Sequence, residues 1–548
     1  MNMKRNGRFC NASQLAVMAA MFVVLVAHSR LNLAQQVGVL RPTPGNEHDR
    51  SLRNADVGNL NTFQGLELFL DDHLISWTQN VVRRVKPPLK HAENPILRAE
   101  YPWEERYMTL YGTVMRDKDT GKFRMWYNAF GPDYRKQSYL AYAESDDGYQ
   151  WRKPMMGILS FGEHAKTNLL LGADANVHGP AVILNPVAPP QDRYLAIYDS
   201  YTHFRPGSPE SQLQSRAVYA ASSPDGIHFS PASGKMIVLG KSDVGHSAVW
   251  NPDREKIQLY MRGVNEYQEE GGLTQRVRYV RYAESSDGRS WSEPIELMRA
   301  DDVDGAPDNQ IHQLTVTRYG NVYVGLLTMF RIERLELGGE HLGERIDRLE
   351  HGVTDTQLAF SRDGINWNRV ADRSTFLPRG SHGEWDGGWI VTSSELVVYD
   401  DEVRIYYAGF PERYSVGQTA IGVATLPLDR FVALKPRRLN EEAVVELKPY
   451  RYVGGEILLN ADASKGGQIQ AEVLDFDGKV IDGFERAAFI PLRADDLRHS
   501  LRWVAAGREK TLNDAVGPGG GQAVRLRFYV HNAEIYSLRS ASSRFAAK

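Results

Sequence analysis

A short motif, Ser-x-Asp-Gly-x-x-aromatic, occurs four times in the chain and restricts the folds that it can adopt. In each copy the Asp-Gly pair favours a tight turn, because glycine takes a positive φ at little steric cost. The serine or aspartate can bind nearby backbone N–H groups, and the aromatic residue folds back over the turn from the next strand. The four copies begin at Ser145, Ser223, Ser285 and Ser361.

Two predicted strands precede each copy, and a fifth, degenerate unit follows without the Ser-x-Asp-Gly spacing. A single antiparallel sheet of this size cannot bury both faces, so repeated sheets pack around a common axis. We therefore predict an all-β fold, a five-bladed β-propeller, with a strand near 66–70 closing the ring. The predicted strand pairs are 123–128 with 139–143, 194–198 with 217–221, 257–262 with 277–283, 322–329 with 356–360, and 403–409 with 421–425.

The first residues have the pattern of an export signal. A basic start at Lys4, Arg5 and Arg8 precedes an apolar run over 15–27, which is too short to span a bilayer comfortably. The sequence thus predicts a signal peptide over 1–34 and an exported protein, periplasmic or extracellular, with an uncleaved signal anchor as the alternative. Cys10 is the only cysteine, so removal of the leader would leave no thiol for a disulfide or a cysteine nucleophile.

The rest of the chain divides by composition. Residues 35–64 are polar and aperiodic, which is typical of a linker, and we assign 65–440 to the propeller. From 441 to 548 short alternating segments and an Asp477-Gly478 turn predict a small C-terminal β-sandwich. The net charge of -3 gives no basic field for nucleic acid, and no membrane partner is expected after leader removal.

Several segments together resemble a known group of proteins. The repeats, Asn94-Pro95-Ile96 and "IGVATLPLDRFVAL" are similar to five-bladed propeller glycosidases of the invertase and arabinanase type. "LFLDDHLI", "SRDGINW", "GEWDGGW" and "LNADASKGGQIQAEVLDFDGK" resemble largely uncharacterised exported propeller proteins of planctomycetes and related bacteria. The resemblance implies an axial funnel that holds acidic groups from the first three blades. The acidic motifs of the glycosidases are not intact here, so no catalytic residue is transferred.

Cleavage of a glycosidic bond needs two carboxyl groups that flank it. The starts of the innermost strands surround the axis of a propeller, so acids there can converge from distant parts of the sequence. We take Glu105, Asp308 and Asp386 as the candidate catalytic residues, with an exposed loop glutamate or a turn-forming aspartate as the alternative reading. Other acids at similar places are Glu104, Asp174, Asp243, Asp304 and Glu395.

The candidate substrate-binding residues surround these acids. Aromatic rings can stack on a sugar, although tryptophan in a propeller often packs between blades. Three histidines near the starts of blades two to four could meet at the axis as hydrogen-bond donors or as a metal site. No short-spaced ligand pair supports a metal, so we predict no cofactor and leave an axial ion open. The candidates are Trp103, Arg106, Tyr111, His178, His246, His312, Glu384 and Trp385.

The leading functional hypothesis is a glycoside hydrolase that acts on a carbohydrate in the axial funnel through paired carboxylates. One alternative is a glycoside phosphorylase on the same fold, which would need basic residues at the axis, for which Arg106 and Arg278 are the candidates. A second alternative is a glycan-binding protein without catalysis. A sialidase fits less well, because its arginine triad cannot be assigned.

Overall fold

The structure is a computed structural model. It describes residues 62–63 and 65–540, with gaps at 135, 173–174, 201–216, 241, 269–273, 333–351, 414–417, 453–454 and 518–521. The predicted signal peptide, most of the predicted linker and the candidate Asp174 lie outside the described residues. Within the described part, no helix is both long enough and apolar enough to cross a membrane.

In the described residues, five antiparallel sheets follow one another along the chain, and the prediction of an all-β propeller is confirmed. The strands run outward from the axis in chain order. Blade one has Tyr107–Arg116, Phe123–Phe130, Ser138–Ser145, Trp151–Arg152 and Leu169–Leu171. Blade two has His178–Leu184, Tyr194–Ser200, Ala217–Ser223 and Ser230–Leu239. Blade three has Ser247–Asn251, Lys256–Gln268, Thr274–Ser285 and Ile295–Arg299. Blade four has Asn309–Tyr319, Val322–Ile332, Gly352–Ser361, Trp367–Arg369 and Thr375–Leu377. Blade five has Trp389–Thr392, Val397–Tyr399, Glu402–Phe410 and Ala420–Pro427.

The Asp-Gly turns of the repeat have the predicted local bonding. In the first turn the Gly148 N–H donates to Ser145 Oγ at 2.9 Å, and the serine donates to Asp147 Oδ1 at 2.9 Å. The Trp151 indole N–H covers the turn by donating to the Gly148 carbonyl at 3.0 Å. The same serine-to-aspartate hydrogen bond occurs in the other three copies.

These turns also attach each blade to the preceding one. The indole of Trp126 in blade one donates to the Gly226 carbonyl of blade two at 2.7 Å. The hydroxyl of Tyr260 in blade three donates to the Gly364 carbonyl of blade four at 2.8 Å. Because the turn carbonyls receive bonds from the neighbouring sheet, the repeated motif holds the ring together as well as closing each hairpin.

Hydrogen bonds between inner strands connect the blades around the axis. Val182 N–H of blade two donates to Thr113 Oγ1 of blade one at 2.9 Å. Ser247 Oγ of blade three donates to the Ser394 carbonyl of blade five at 2.8 Å, and Val316 N–H of blade four donates to Ser247 Oγ. These bonds form a buried polar layer between the inner strands.

The ring is closed by a different segment from the one predicted. Leu66–Leu68 pairs with Glu534–Ser540 in the sandwich, so the expectation that it joins the last blade is wrong. Leu89–Lys90 and Leu97–Arg98 instead pair with Ala420–Pro427 of blade five.

The sandwich has two six-stranded sheets in the described part of the chain, and both contain strands from before and after the propeller. Their facing sides form one apolar core. The strands within 62–85 and 432–436 thus differ from the predicted limits, because they complete sheet edges that would otherwise lack partners. One sheet has Thr62–Phe63, Tyr450–Tyr452, Ala523–His531, Ala443–Leu447, Ile75–Gln79 and Gln468–Leu474. The other has Asp495–Ser500, Ile457–Asp462, Glu534–Ser540, Val432–Pro436, Val81–Val85 and Leu66–Leu68.

Short elements complete the fold. Trp503–Ala505 and Arg508–Lys510 form a hairpin beside the sandwich, and Leu512–Val516 is a short α-helix. The 3₁₀ turns are Pro102–Glu104, Pro190–Asp192 and Arg486–Ala488. Pro102–Glu104 leads into the inner strand of blade one.

Candidate functional site at the propeller axis

The starts of the inner strands bring one aromatic or imidazole ring from each blade towards the axis. Tyr111 Oη lies 2.9 Å from His312 Nε2, and the Tyr111 ring centroid lies 6.0 Å from that of His178. His312 meets Trp389 edge to face at 5.0 Å. His246 lies beside them, because its Nδ1 is 2.6 Å from the carbonyl oxygen of Gly179, the residue after His178. We call these five residues, Tyr111, His178, His246, His312 and Trp389, the axial cluster.

Buried polar atoms in and beside the axial cluster have no protein partner among the described residues. His246 Nδ1 lies 2.6 Å from the Gly179 carbonyl, which can only accept, so Nδ1 holds the proton and Nε2 has a lone pair. That Nε2, His312 Nδ1 and Gln313 Oε1 are buried without a hydrogen bond in the described part. An unsatisfied buried polar group costs about 1–3 kcal/mol, so this arrangement favours a place that contacts a ligand.

Burial keeps two of these imidazoles neutral. It lowers the pKa of His246 to about 4, with the charges of Arg281 and Arg262 acting in the same direction. Burial also lowers the pKa of His312 well below its usual value, assisted by Arg262 and Arg278. A neutral imidazole offers both a donor and an acceptor, so the pair suits the hydroxyl groups of an uncharged ligand.

Two aspartates, one from blade two and one from the segment before blade three, lie close to His178 of the axial cluster. His178 faces Asp199 across the strand pair, and each of His178, Asp199 and Asp243 has a ligand-type atom within 4.8 Å of the others. Asp243 N–H donates to Asp199 Oδ2 at 2.9 Å, and Arg262 Nη2 donates to Asp243 Oδ2 at 2.8 Å. Arg262 is itself held by the Ser242 carbonyl at 3.0 Å. We call His178, Asp199 and Asp243 the His178 group.

Basic side chains also lie near the axis. Arg278 is buried, donates to Gln310 Oε1 at 2.9 Å and lies over the Phe330 ring at 4.4 Å. Phe330 in turn packs on Trp389 at 5.4 Å. Arg278 was the candidate that the sequence offered for a phosphorylase, and the structure places its guanidinium close enough to affect the pKa of His312.

The three candidate catalytic acids have separate surroundings. Glu105 is exposed at the end of the 3₁₀ turn before blade one. Asp308 is half-buried before the inner strand of blade four, with Oδ1 3.5 Å from Gln275 Nε2. Asp386 is buried and forms an ion pair with Lys90 at 2.7 Å. The catalytic assignment of these acids stays a prediction.

Of the aromatic and basic candidates beside Glu105, Trp103 lies in the core and Arg106 is partly exposed. Trp103 is buried, and its indole N–H donates to Asn168 Oδ1 at 2.8 Å. Its ring would have to be uncovered before it could stack on a sugar. Arg106 is half-buried, with its guanidinium 5.8 Å from the Tyr134 ring centroid.

The candidates beside Asp386 lie on blade five. Trp385 is half-buried and stacks on Tyr407 at 5.5 Å, and Tyr407 donates to Asp386 Oδ2 at 2.9 Å. Glu384 is exposed and accepts the Ser381 N–H at 2.7 Å. Trp385 thus covers its own blade, and a ligand there would contact its outer part.

Asp199 is the residue near the axis that the sequence reasoning missed. It is buried at the end of the second strand of blade two, directly opposite His178 in the register. Only acids just before or within the predicted inner-strand segments were considered, although the second strand of a blade ends at the same face as the inner strand begins. An aspartate in the apolar run "YLAIYDS" was the available signal.

Glu395 marks the other end of the axis. It follows the inner strand of blade five, and its half-buried carboxyl has no hydrogen-bond partner among the described residues. Burial raises its pKa to about 7.

We expect Glu395 to make the protein less stable as pH rises. Its pKa is about 7 in the folded state, against 4.5 for an ordinary glutamate, so the folded state holds the proton more tightly between these values. Unfolding free energy is therefore lost as pH rises from about 4.5 to about 7, by roughly 3 kcal/mol in all. Glu395→Gln should therefore gain about that much at pH 8 relative to wild type and little at pH 4, by urea unfolding. Glu163→Gln, at an exposed site, is the control. An equal pH slope in wild type and Glu395→Gln would contradict the assignment.

Comparison with known proteins gives likeness at the level of overall shape only. No protein-family model and no curated protein matches the chain. A glycosyl hydrolase from Bacteroides ovatus is 14% identical with a TM-score of 0.40, over 62% of this chain and 94% of that one. The beta-1,2-mannobiose phosphorylase from Listeria innocua is 11% identical with a TM-score of 0.41, over 64% and 98%. An N-acetylgalactosamine deacetylase from F. plautii is 15% identical with a TM-score of 0.38, over 68% and 96%. At such low scores the activity of this chain is not indicated, and the propeller is assigned from its own strand pairing.

Proposed function

We propose that the protein is a carbohydrate-active enzyme that cleaves a glycosidic bond at the axial cluster. The observation that supports this is convergence: rings from four blades contact one another in pairs, His246 at the start of blade three lies beside His178, and buried polar atoms among them have no protein partner in the described residues. A propeller that needed only to pack would fill its axis with apolar side chains.

The chemistry of these groups suits a polyhydroxyl ligand. A sugar hydroxyl can donate to the His246 Nε2 lone pair and accept from a neighbouring donor in the same contact. Carboxylates of the His178 group accept further hydroxyl protons, and Arg278 donates. The sequence resemblance to propeller glycosidases points to the same ligand class.

Hydrolysis is the leading reaction, and one observation favours phosphorolysis as a second candidate. Hydrolysis requires carboxyl groups on both sides of the bond, and Asp308 is the acid that we propose to flank the bond opposite the His178 group. Phosphorolysis requires a cationic site for phosphate, and Arg262 and Arg278 both act on His312. Turnover with and without inorganic phosphate separates the two reactions.

The test is turnover of a panel of polysaccharides and aryl glycosides by wild type and Asp243→Asn. We expect Asp243→Asn to lower kcat by about 100-fold or more, because Asp243 belongs to the group that would orient the sugar, and a small misplacement of a reacting group costs about this much. The same assays with Glu105→Gln, Asp308→Asn and Asp386→Asn test the acids chosen from the sequence.

Asp117→Asn is the matched control. Asp117 is also a partly buried aspartate paired with an arginine, Arg124 at 3.3 Å, but it follows the far end of the blade-one inner strand. It should retain wild-type turnover. Undiminished turnover in Asp243→Asn and in the other three variants would contradict an axial reaction site.

A further inference from the structure

The His178 group combines one imidazole with two carboxylates from different blades. His178 begins the inner strand of blade two, Asp199 ends the next strand, and Asp243 precedes blade three. One ligand-type atom from each lies within 4.8 Å of the other two. Three protein ligands with positions left for solvent or substrate are typical of catalytic metal centres.

Hydrogen bonds hold the two carboxylates in place. The Asp243 N–H binds Asp199 Oδ2, and Arg262 binds Asp243 Oδ2. Ligating carboxylates in metal sites are commonly oriented by such outer contacts. Asp199 is completely buried, and its charge interacts with that of Arg281.

An independent observation lies next to this group. The Gly179 carbonyl, one residue from His178, accepts a hydrogen bond from His246 Nδ1–H. The other ring nitrogen, Nε2, is buried and has no partner among the described residues. The unsatisfied Nε2 lies on the side of the ring opposite the Gly179 carbonyl, and it is a buried polar atom near this group that a ligand could satisfy.

From these contacts we infer that His178, Asp199 and Asp243 bind a divalent transition-metal ion, with Arg262 as a positioning residue. One nitrogen and two carboxylate oxygens suit Mn²⁺ or Zn²⁺ better than Ca²⁺, which prefers six to eight oxygen ligands. The remaining coordination positions would take hydroxyl oxygens of the ligand. The ion would thereby orient a sugar at the axial cluster.

The inference concerns the same site as the proposed function and rests on it for the identity of the ligand, but its test measures metal binding directly. Purified full-length protein is treated with EDTA, dialysed and titrated with MnCl₂ or ZnCl₂ in a calorimeter. We expect one equivalent to bind. Asp243→Asn, Asp199→Asn and His178→Gln should each weaken binding by at least about 100-fold, which exceeds the usual effect of losing an outer contact.

Asp117→Asn serves as the matched control and should bind metal like wild type. Far-UV circular dichroism and a thermal melt without metal establish that each variant is folded, and His178→Gln covers the case in which buried Asp199→Asn does not fold. Absence of binding to wild type, or wild-type affinity in the folded His178→Gln and Asp243→Asn variants, overturns the inference. Metal binding without glycoside cleavage would contradict the proposed reaction and leave the metal site standing.

Discussion

Replacing Gly179 with alanine should destabilise the protein by at least about 3 kcal/mol and disrupt the axial cluster. Gly179 has a positive φ of 60°, and an added Cβ would overlap the Val244 carbonyl oxygen and lie 2.6 Å from its carbon. Backbone atoms cannot rotate away from such an overlap, so blades two and three must separate. The Gly179 carbonyl that holds His246 would move with them.

Urea unfolding and metal or substrate binding measure this effect. Gly162→Ala is the matched control, because Gly162 also has a positive φ, 54°, but nothing lies within 4 Å of the added Cβ. Gly162→Ala should lower the unfolding free energy by only about 1–2 kcal/mol, which is the cost of holding alanine in the left-handed backbone conformation. Equal losses in the two variants would mean that the close approach of the blades contributes nothing.

Replacing Lys153 with methionine should be similarly damaging, at about 3–5 kcal/mol, because it leaves a buried carboxylate without its cation. Lys153 and Glu104 are both buried and 2.9 Å apart. Glu104 also accepts the Tyr127 hydroxyl proton and the Glu100 N–H. The pair fixes the 3₁₀ turn that leads into the inner strand of blade one.

The double variant Lys153→Met with Glu104→Gln should regain much of this loss, since an amide is neutral and still reaches Tyr127. Arg438→Met removes an exposed ion pair with Glu441 and should change unfolding free energy by less than about 1 kcal/mol. A double variant as unstable as Lys153→Met alone would show that lost packing, not the unpaired charge, causes the effect.

The propeller was predictable because its signal is local and repeated. Ser145, Asp147 and Gly148 determine their own turn, and the same bonding recurs in every copy. The closing strands were missed because Leu89–Lys90 is short and its partner Thr425 lies far along the chain. No local pattern distinguishes such an edge strand from a loop.

The site was harder to predict because its chemistry depends on distant partners. His178 and His312 were chosen because they lie near the starts of blades, and Tyr111 as an aromatic neighbour of Glu105; the structure brings these rings near one another. Composition alone could not show that Trp103 is buried. The pairing of Asp386 with Lys90, across 296 positions, is equally invisible in the sequence.

The strand order of the sandwich has a consequence for how the chain becomes structured during synthesis. Ile75–Gln79 emerges early, but its partner Ala443–Leu447 follows the entire propeller, and Ala523–His531 follows later still. The propeller is thus an insertion in a discontinuous domain. The apolar side of the early strand therefore stays exposed until the residues after the propeller have been synthesised. An exposed apolar strand of this kind favours aggregation, so we expect chaperone binding to matter most during this interval.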